Sequence, residues 1–318
     1  MNPRTTTVIT IVALVAAVFI IITAMGVGIL VARLGRVSTG DVALIRIEGI
    51  ITSGRGSAGF LGDGTAGAES IVKLLEKFRK DESVKSLVIR IDSPGGSAAG
   101  SQEIYREIVR VRKAGKKVTV SMGDVAASGG YYIASAADRI YADPATLTGS
   151  IGVIMEAADI HELLGRFGVD VNTIKSGKHK DIGSASRPMT PEERRILQTL
   201  IDDVFDQFIS DVSAGRKLPK PYVLKLADGR VYTGRQAAKL KLVDQTGTLE
   251  DALIAAARDI GLEEDKFSVV EYEKFPGLLD LLLGMTDTRV PKWLRPYSSL
   301  GELAHRLLRT DTRLELCE

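Results

Sequence analysis

Residues 123–138 read GDVAASGGYYIASAAD, and this stretch decides both the fold class and the position of one serine. An apolar run at residues 117–122 precedes it and predicts a buried strand, and the alanine-rich part predicts a helix. Ser128 lies at the turn between them, where the N–H groups and dipole of a helix N-terminus favour negative charge. Gly129 and Gly130 carry no side chain, so a substrate backbone has room to approach. The stretch therefore predicts either a helix N-cap or a nucleophile at Ser128.

Strands and helices alternate along most of the chain. Strands are predicted at residues 41–51, 84–92, 117–122, 139–142, 169–174 and 267–272, and a turn with a short strand at residues 145–154. Helices are predicted at residues 70–80, 98–113, 160–167, 190–215, 234–240 and 249–260. Helices of this length between strands predict right-handed crossovers, and hence an α/β fold with a mainly parallel sheet. The clearest helix begins at Thr190, where Pro191 and Glu193 complete a capping-box pattern. Its wide apolar face predicts burial against a sheet or against another subunit.

Composition excludes several classes of function. The net charge is +2, and no basic stripe is interleaved with aromatic residues, so no nucleic acid is expected as a partner. Cys317 is the only cysteine, which excludes an intrachain disulfide and a cysteine-based metal site. The sequence contains neither an HExxH motif nor a phosphate-binding glycine motif. We therefore expect neither a metal nor a cofactor.

Residues 8–32 contain no charged residue and are long enough to cross a bilayer as a helix. The run is longer than the apolar part of a usual secretory signal, so it predicts a retained single-span anchor. Arg4 on one side and Arg33 and Arg36 on the other leave the orientation open. The predicted division of the chain is a tail and anchor at residues 1–37, a folded domain at residues 38–265 and a C-terminal extension at residues 266–318.

A serine nucleophile needs a base to remove its proton, and the chain offers two types of candidate. Of the three histidines, His161 and His305 are predicted to be surface or structural residues, which leaves His179 in a polar loop. Lys178 and Lys180 flank His179, and a lysine can serve as the base where its surroundings leave it neutral. The residues by themselves leave the choice between a Ser-His and a Ser-Lys pair open.

Four segments of the chain, taken in order, resemble the signal peptide peptidase A family in its short, single-unit form. They are DSPGGS at residues 92–97, GDVAASGGYYIASAAD at 123–138, TGSIGV at 148–153 and SGKHKDIGS at 176–184. The resemblance covers roughly residues 40–265. Members of this family are membrane-anchored serine proteases with a Ser-Lys dyad. The resemblance therefore implies a ClpP/crotonase-like fold with flanking helices, preceded by one transmembrane helix.

The resemblance also implies roles for individual residues. Ser128 corresponds to the nucleophile and Lys180 to the general base, while Ser150 corresponds to a serine that orients the lysine. The implied oxyanion hole consists of backbone N–H groups of Gly95 or Gly96, together with that of Gly129. In short members of the family, the serine and the lysine of one site come from neighbouring subunits of a ring-shaped homo-oligomer.

The function implied by the resemblance is that of an endopeptidase at the cell membrane, with its catalytic domain outside the cytoplasm. Its substrates would be apolar peptides, chiefly signal peptides left in the membrane after secretion, and membrane lipid would be a further partner. Two alternatives are a crotonase-like acyl-CoA hydratase or isomerase, which shares the fold and the oxyanion hole, and a non-catalytic membrane scaffold. The hydratase alternative needs neither a membrane span nor a Ser-Lys pair, and this favours the peptidase.

Overall fold

The computed structural model describes residues 41–56, 64–264 and 266–272. The predicted anchor at residues 8–32, His305, Cys317 and most of the predicted C-terminal extension lie outside these residues. Within the described ranges, none of the helices combines the length and the apolar character needed to span a membrane.

The described residues form an α/β fold in which helices separate many of the strands. The strands of this part of the chain are β1 (Val42–Glu48), β2 (Ile50–Thr52), β3 (Thr65–Gly67), β4 (Ser86–Ser93), β5 (Lys117–Ala127), β6 (Arg139–Ala142), β7 (Leu147–Gly149), β8 (Val231–Thr233), β9 (Gln245–Thr246) and β10 (Val269–Glu271). Its helices are α1 (Ala68–Lys80), α2 (Ala98–Lys113), α3 (Gly129–Ser135), α4 (His161–Arg166), α5 (Pro191–Arg216), α6 (Lys220–Leu226), α7 (Gly234–Lys239) and α8 (Leu249–Arg258).

The main sheet has the strand order β10-β1-β4-β5-β6-β9, and each pair along this path is parallel. Strand β7 pairs in parallel with the end of β5 and antiparallel with β8. Strands β2 and β3 form a separate parallel pair. The predicted α/β class with a mainly parallel sheet is confirmed. The sheet includes β10, whose residues follow the predicted end of the folded domain at residue 265.

Both faces of the sheet are buried, as is usual for parallel sheets. In β1, the side chains of Ala43, Ile45 and Ile47 belong to one buried cluster, whereas Val42 and Leu44 belong to another on the opposite face. Each isoleucine or leucine buried in this way contributes roughly 1.5–3 kcal/mol. On the second face, α8 packs through small side chains, which let its backbone approach the sheet closely: Ala252, Ala255 and Ala256.

Two strand predictions need correction. The predicted strand at residues 41–51 is interrupted at Gly49, whose φ of 80° separates β1 from β2. The predicted strand at residues 169–174 is wrong, because these residues have no regular secondary structure. The apolar side chain of Ile174 is fully exposed. Valine and isoleucine favour strands only where a neighbouring strand accepts their backbone hydrogen bonds and covers their side chains.

Helix α5 begins as predicted, because the Thr190 side chain accepts a hydrogen bond from the Glu193 N–H and the Glu193 side chain accepts one from the Thr190 N–H. Its apolar face is buried only in the second half, at Phe208, Ile209 and Val212. In the first half, Ile196 and Leu200 are exposed. The rest of the described fold thus covers the apolar face of α5 only along the second half of the helix.

Candidate active site

Ser128 joins β5 to α3 in a strained backbone conformation. Its φ of 52° and ψ of −118° lie outside the regions that L-residues usually occupy, at a cost of about 1–3 kcal/mol. The N–H of Ser128 donates to the carbonyl oxygen of Gly149 at 2.8 Å, and this hydrogen bond holds the turn. The Ser128 hydroxyl does not cap α3, and it forms no hydrogen bond within the described residues. The N-cap alternative therefore has no support in the structure.

Gly95 and Gly96 follow β4 and lie directly against this turn. Their φ values are 104° and 147°, in a region that favours glycine. A Cβ atom on Gly95 would lie 2.7 Å from the amide nitrogen of Gly129 and 2.9 Å from the Cβ of Ser128. No side chain fits between the two segments, so residue 95 needs to be glycine.

Among the backbone N–H groups near Ser128, those of Gly96 and Gly129 have no acceptor within the described part of the chain. The N–H of Gly129 lies in the first turn of α3, where a helix supplies no acceptor. A Cβ atom on Gly129 would lie 3.4 Å from the amide nitrogen of Gly96, so the two groups are close together. The N–H of Gly95, in contrast, donates to the Oγ of Ser93 at 3.1 Å. Gly96 and Gly129 are thus available to bind an oxygen atom that carries negative charge.

Ser150 lies near Ser128 because of the hydrogen bond that joins β7 to the turn. It directly follows Gly149, the acceptor of the Ser128 N–H. Its φ of 48° is also positive, and its own N–H donates to the carbonyl oxygen of Arg230 at 2.9 Å. Ser128 and Ser150 line the same cavity. The two serines that the sequence placed in separate motifs therefore belong to one site.

The cavity has a volume of about 410 Å³, and its lining also includes Gly96 and Gly129. Apolar and aromatic side chains from α3, from α5 and from the segment after β7 form much of the remaining wall: Tyr132, Val153, Ile154, Val204 and Phe208. Burial is the main cause that raises the pKa of Tyr132, and a hydrogen bond to Asp211 raises it further. The Tyr132 hydroxyl therefore stays protonated and donates to the Asp211 carboxylate. The cavity is large enough for an apolar side chain of a peptide.

The contribution of α5 to this wall was missed in the sequence. The sequence places Val204 and Phe208 on a wide apolar face, which fits burial against any neighbour. Their spacing of four residues places them on one side of a helix, and this was the only available signal. It does not identify the surface that the side faces.

Lys180 lies in the exposed loop between α4 and α5, and it is not among the residues that line the cavity. Its side chain forms no ion pair or hydrogen bond within the described residues. Its neighbours Lys178 and His179 both contact Glu192, the histidine through its Nε2 at 3.4 Å from Oε1. A single chain thus brings together both serines and the three glycines, but it does not bring Lys180 to Ser128.

Gly129→Ala is expected to lower the free energy of unfolding by about 1–3 kcal/mol, because it overpacks the turn. The new Cβ would lie 2.4 Å from the Oγ of Ser101, which a hydrogen bond to the Ser97 carbonyl oxygen holds in place at 2.9 Å. Denaturant titration of the variant and the parent protein measures the loss. Adding Ser101→Ala removes the obstructing atom and should restore part of the stability. Gly165→Ala, with no atom within 4 Å of the new Cβ, is the control, and an equal loss there would contradict the explanation.

Comparison with known proteins identifies the family. The profile of peptidase family S49 matches residues 110–263, and that of Clp protease matches residues 63–147. A protein of Synechocystis sp. that is named as a protease is 42% identical over 243 residues, which cover 76% of this chain and 83% of that protein. A protein of Methanocaldococcus jannaschii, also named as a protease, is 38% identical over 233 residues, covering 69% of this chain and 75% of that protein.

A third relative comes from Enterococcus faecium and is named as a signal peptide peptidase. It is 37% identical over 205 residues, which cover 64% of this chain and 59% of that protein. The residues matched by the S49 profile include Ser128, Ser150 and Lys180. The chain belongs to peptidase family S49.

Proposed function

We propose that this peptidase is a membrane-anchored serine endopeptidase, in which Ser128 is the nucleophile and Lys180 of a neighbouring copy is the general base. The observation that carries the proposal is the turn at Ser128. A strained serine presents a hydroxyl without a hydrogen bond next to two N–H groups without acceptors, at an apolar cavity. Strain is retained at functional sites where it orients a reactive group, and neither capping nor core packing uses this hydroxyl.

The proposed reaction uses these groups in turn. The neutral amine of Lys180 removes the hydroxyl proton of Ser128 while the Oγ forms a bond to the carbonyl carbon of the peptide. The N–H groups of Gly96 and Gly129 bind the resulting oxyanion. The ammonium of Lys180 then protonates the leaving nitrogen as the C–N bond breaks. A water molecule, deprotonated by the same amine, hydrolyses the ester and regenerates the Ser128 hydroxyl.

Ser150 is proposed to orient the lysine. Ser150 lines the same cavity as Ser128, and it directly follows Gly149, whose carbonyl group holds the turn. A hydroxyl can accept a hydrogen bond from the amine and so direct the nitrogen lone pair towards Ser128. Gly96 is preferred to Gly95 as the oxyanion donor, because the Gly95 N–H already donates to Ser93.

The proposed substrates are apolar peptides, chiefly signal peptides that remain in the membrane after secretion. The apolar wall of the cavity supports this choice, as does the relative named as a signal peptide peptidase. Residues 8–32 would anchor the chain in the cell membrane, with the catalytic domain outside the cytoplasm. In this position the cavity would meet peptides as they leave the bilayer.

A ring of copies is proposed because one chain leaves the site incomplete. Lys180 is exposed and without a partner in the described residues, and large apolar side chains are exposed nearby in sequence. Four of them are Ile154 at 85%, Phe167 at 77%, Ile174 at 101% and Leu200 at 54% exposure. We propose that these side chains form part of one apolar patch, since contiguous exposed patches are typical of a surface that another protein covers. A neighbouring copy would cover them and bring its serine to Lys180.

Labelling of the full chain in detergent with a serine-directed fluorophosphonate tests the proposed function. We expect an adduct on Ser128, located by mass spectrometry of proteolytic fragments, together with cleavage of an apolar test peptide. Absence of both adduct and cleavage would favour the non-catalytic scaffold. Hydration of an enoyl-CoA without peptide cleavage would favour the crotonase-like alternative.

Leu200→Glu is expected to reduce the oligomer to smaller species and to lower activity, because it places a charge on the surface proposed to be covered. Sedimentation velocity measures the mass of the assembly. Leu224→Glu is a matched control, since Leu224 on α6 has the same exposure of 54%. A parent protein that is fully active as a monomer would contradict the shared site.

A further inference from the structure

The residue that follows Lys180 is an aspartate, and this is an unfavourable neighbour for a base that has to be neutral. A free carboxylate close to an amine stabilises its protonated form. The Asp181 carboxylate, however, binds two other cations: the Nζ of Lys175 at 2.6 Å and the Nε of Arg187 at 2.9 Å. The Asp181 side chain is only 10% exposed, although its loop lies at the surface. Both of its carboxylate oxygens are therefore occupied.

Arg187 links this loop to the first turn of α5. Its Nη1 and Nη2 donate to the two carboxylate oxygens of Glu193 at 2.9 and 2.5 Å, a bidentate pair of the strong kind. Its Nη2 also donates to the carbonyl oxygen of Asp181 at 3.2 Å. Glu193 in turn accepts the N–H of Thr190 at 2.9 Å. One guanidinium group thus fixes the backbone next to Lys180 to the N-terminus of a long helix.

Three carboxylates close to Lys180 in the chain are paired with other cations, namely those of Asp181, Glu192 and Glu193. The hydrogen bond from Arg187 holds the pKa of Asp181 well below its usual range and lowers the pKa of Glu193 to about 2. A hydrogen bond from Lys178 lowers the pKa of Glu192. Besides Lys180, the charged or titratable groups of the loop and of the start of α5 are Asp170, Lys175, Lys178, His179, Asp181, Arg187, Glu192, Glu193, Arg194 and Arg195. Asp181, Glu192 and Glu193 each have a cationic partner other than Lys180, whereas Asp170 forms no ion pair within the described residues.

We propose that Arg187 is a positioning residue for Lys180: it holds the Asp181 carboxylate away from the lysine amine and fixes the lysine loop on α5. The inference rests on the proposed function, because Arg187 has this role only if Lys180 is the base. Capping of α5 alone would make Arg187 a stabilising residue, without influence on the protonation of the site. The two roles therefore differ in their effect on the pH dependence of the reaction.

The test compares Arg187→Gln with the parent protein, as the full chain in detergent, with an apolar peptide whose cleavage is measured from pH 6 to 10. We expect kcat to fall about tenfold or more, with little change in KM, because the base is misplaced while the cavity is intact. The rising limb of the pH profile should move to higher pH by about half a unit to one unit, since the released carboxylate favours the ammonium form. Lys175 still binds one oxygen of Asp181, which limits the shift.

A second substitution separates positioning from a structural role. Adding Asp181→Asn to Arg187→Gln removes the released charge and should return the limb towards the parent position, although the double variant has lost more contacts. Arg187→Lys should show a smaller shift in the same direction, because one ammonium cannot bridge both carboxylates. Arg194→Gln removes the same charge from an exposed residue of α5, the helix to which Arg187 binds, and should leave the profile unchanged.

The outcomes distinguish a failure of the proposed function from a failure of the role proposed for Arg187. An active Lys180→Ala protein would refute the proposed function itself. An inactive Lys180→Ala protein together with an Arg187→Gln protein that keeps the parent rate and limb would refute only the role of Arg187. If Arg187→Gln does not fold, as judged by its unfolding transition and sedimentation, Arg187→Lys decides, and an unshifted limb in that variant would overturn the inference.

Discussion

Ser128→Ala is expected to lower kcat for peptide cleavage by roughly 10³-fold to 10⁶-fold, as removal of a nucleophile does in other serine peptidases. The substitution removes one oxygen atom that neither caps α3 nor forms a hydrogen bond within the described residues. The free energy of unfolding should therefore change by no more than about 0.5 kcal/mol. Cleavage of an apolar peptide, together with a denaturant titration, measures both effects.

The matched control for this prediction is Ser135→Ala. Ser135 is buried in the same helix, and its Oγ donates to the Tyr132 carbonyl oxygen at 2.7 Å. Its loss should cost stability and leave most of the activity. Turnover of Ser128→Ala close to that of the parent protein would exclude Ser128 as the nucleophile.

Ser128→Gly tests whether the backbone conformation at residue 128 is strained. Glycine adopts a φ of 52° at little cost, so this variant should be as inactive as Ser128→Ala but more stable by about 1–2 kcal/mol. An inactive protein that is more stable than the parent would show that the fold bears a cost for the orientation of the hydroxyl. Equal stability of the two variants would mean that the turn is not strained.

Lys180→Ala is expected to be as inactive as Ser128→Ala, whereas Lys178→Ala and His179→Ala should keep much of their activity. Lys178 and His179 both contact Glu192, so each already has a partner within its own chain, whereas Lys180 has none within the described residues. Activity of the parent protein should rise with pH, because only the neutral amine accepts the serine proton. Peptide cleavage by the three single variants measures the assignment. An inactive His179→Ala protein beside an active Lys180→Ala protein would replace the Ser-Lys pair with a Ser-His pair.

Mixing the two inactive proteins during assembly tests whether a site is shared. A site is active when the chain that supplies its serine carries Lys180→Ala and the chain that supplies its lysine carries Ser128→Ala. Equal amounts and random order in a closed ring give about one such site in four. We therefore expect roughly a quarter of the parent activity in the mixture and none in either protein alone. Mixed rings without any activity would place both residues in one chain.

The sequence alone predicted the elements that depend on neighbouring residues. Helix α2 begins and ends at the predicted residues, 98 and 113, and α5 begins at the predicted capping box of Thr190 and Glu193. Both depend on hydrogen bonds and apolar contacts between residues a few positions apart. Such contacts can be predicted from the spacing of the residues in the sequence. The four motifs, read in order, were likewise sufficient to identify the family.

Tertiary structure decided the features that depend on distant segments. The sequence leaves Gly95 and Gly96 as equal candidates for the oxyanion donor. The structure favours Gly96, because the Gly95 N–H donates to Ser93 and the Gly96 nitrogen lies close to Gly129. The strain at Ser128 depends on the hydrogen bond to Gly149, which comes from another strand. Residues 169–174 have a strand-like composition but form no strand, because a strand requires a partner and none of the described residues pairs with them. A sequence pattern records which residues are neighbours along the chain, whereas strain and free N–H groups arise from segments that only folding brings together.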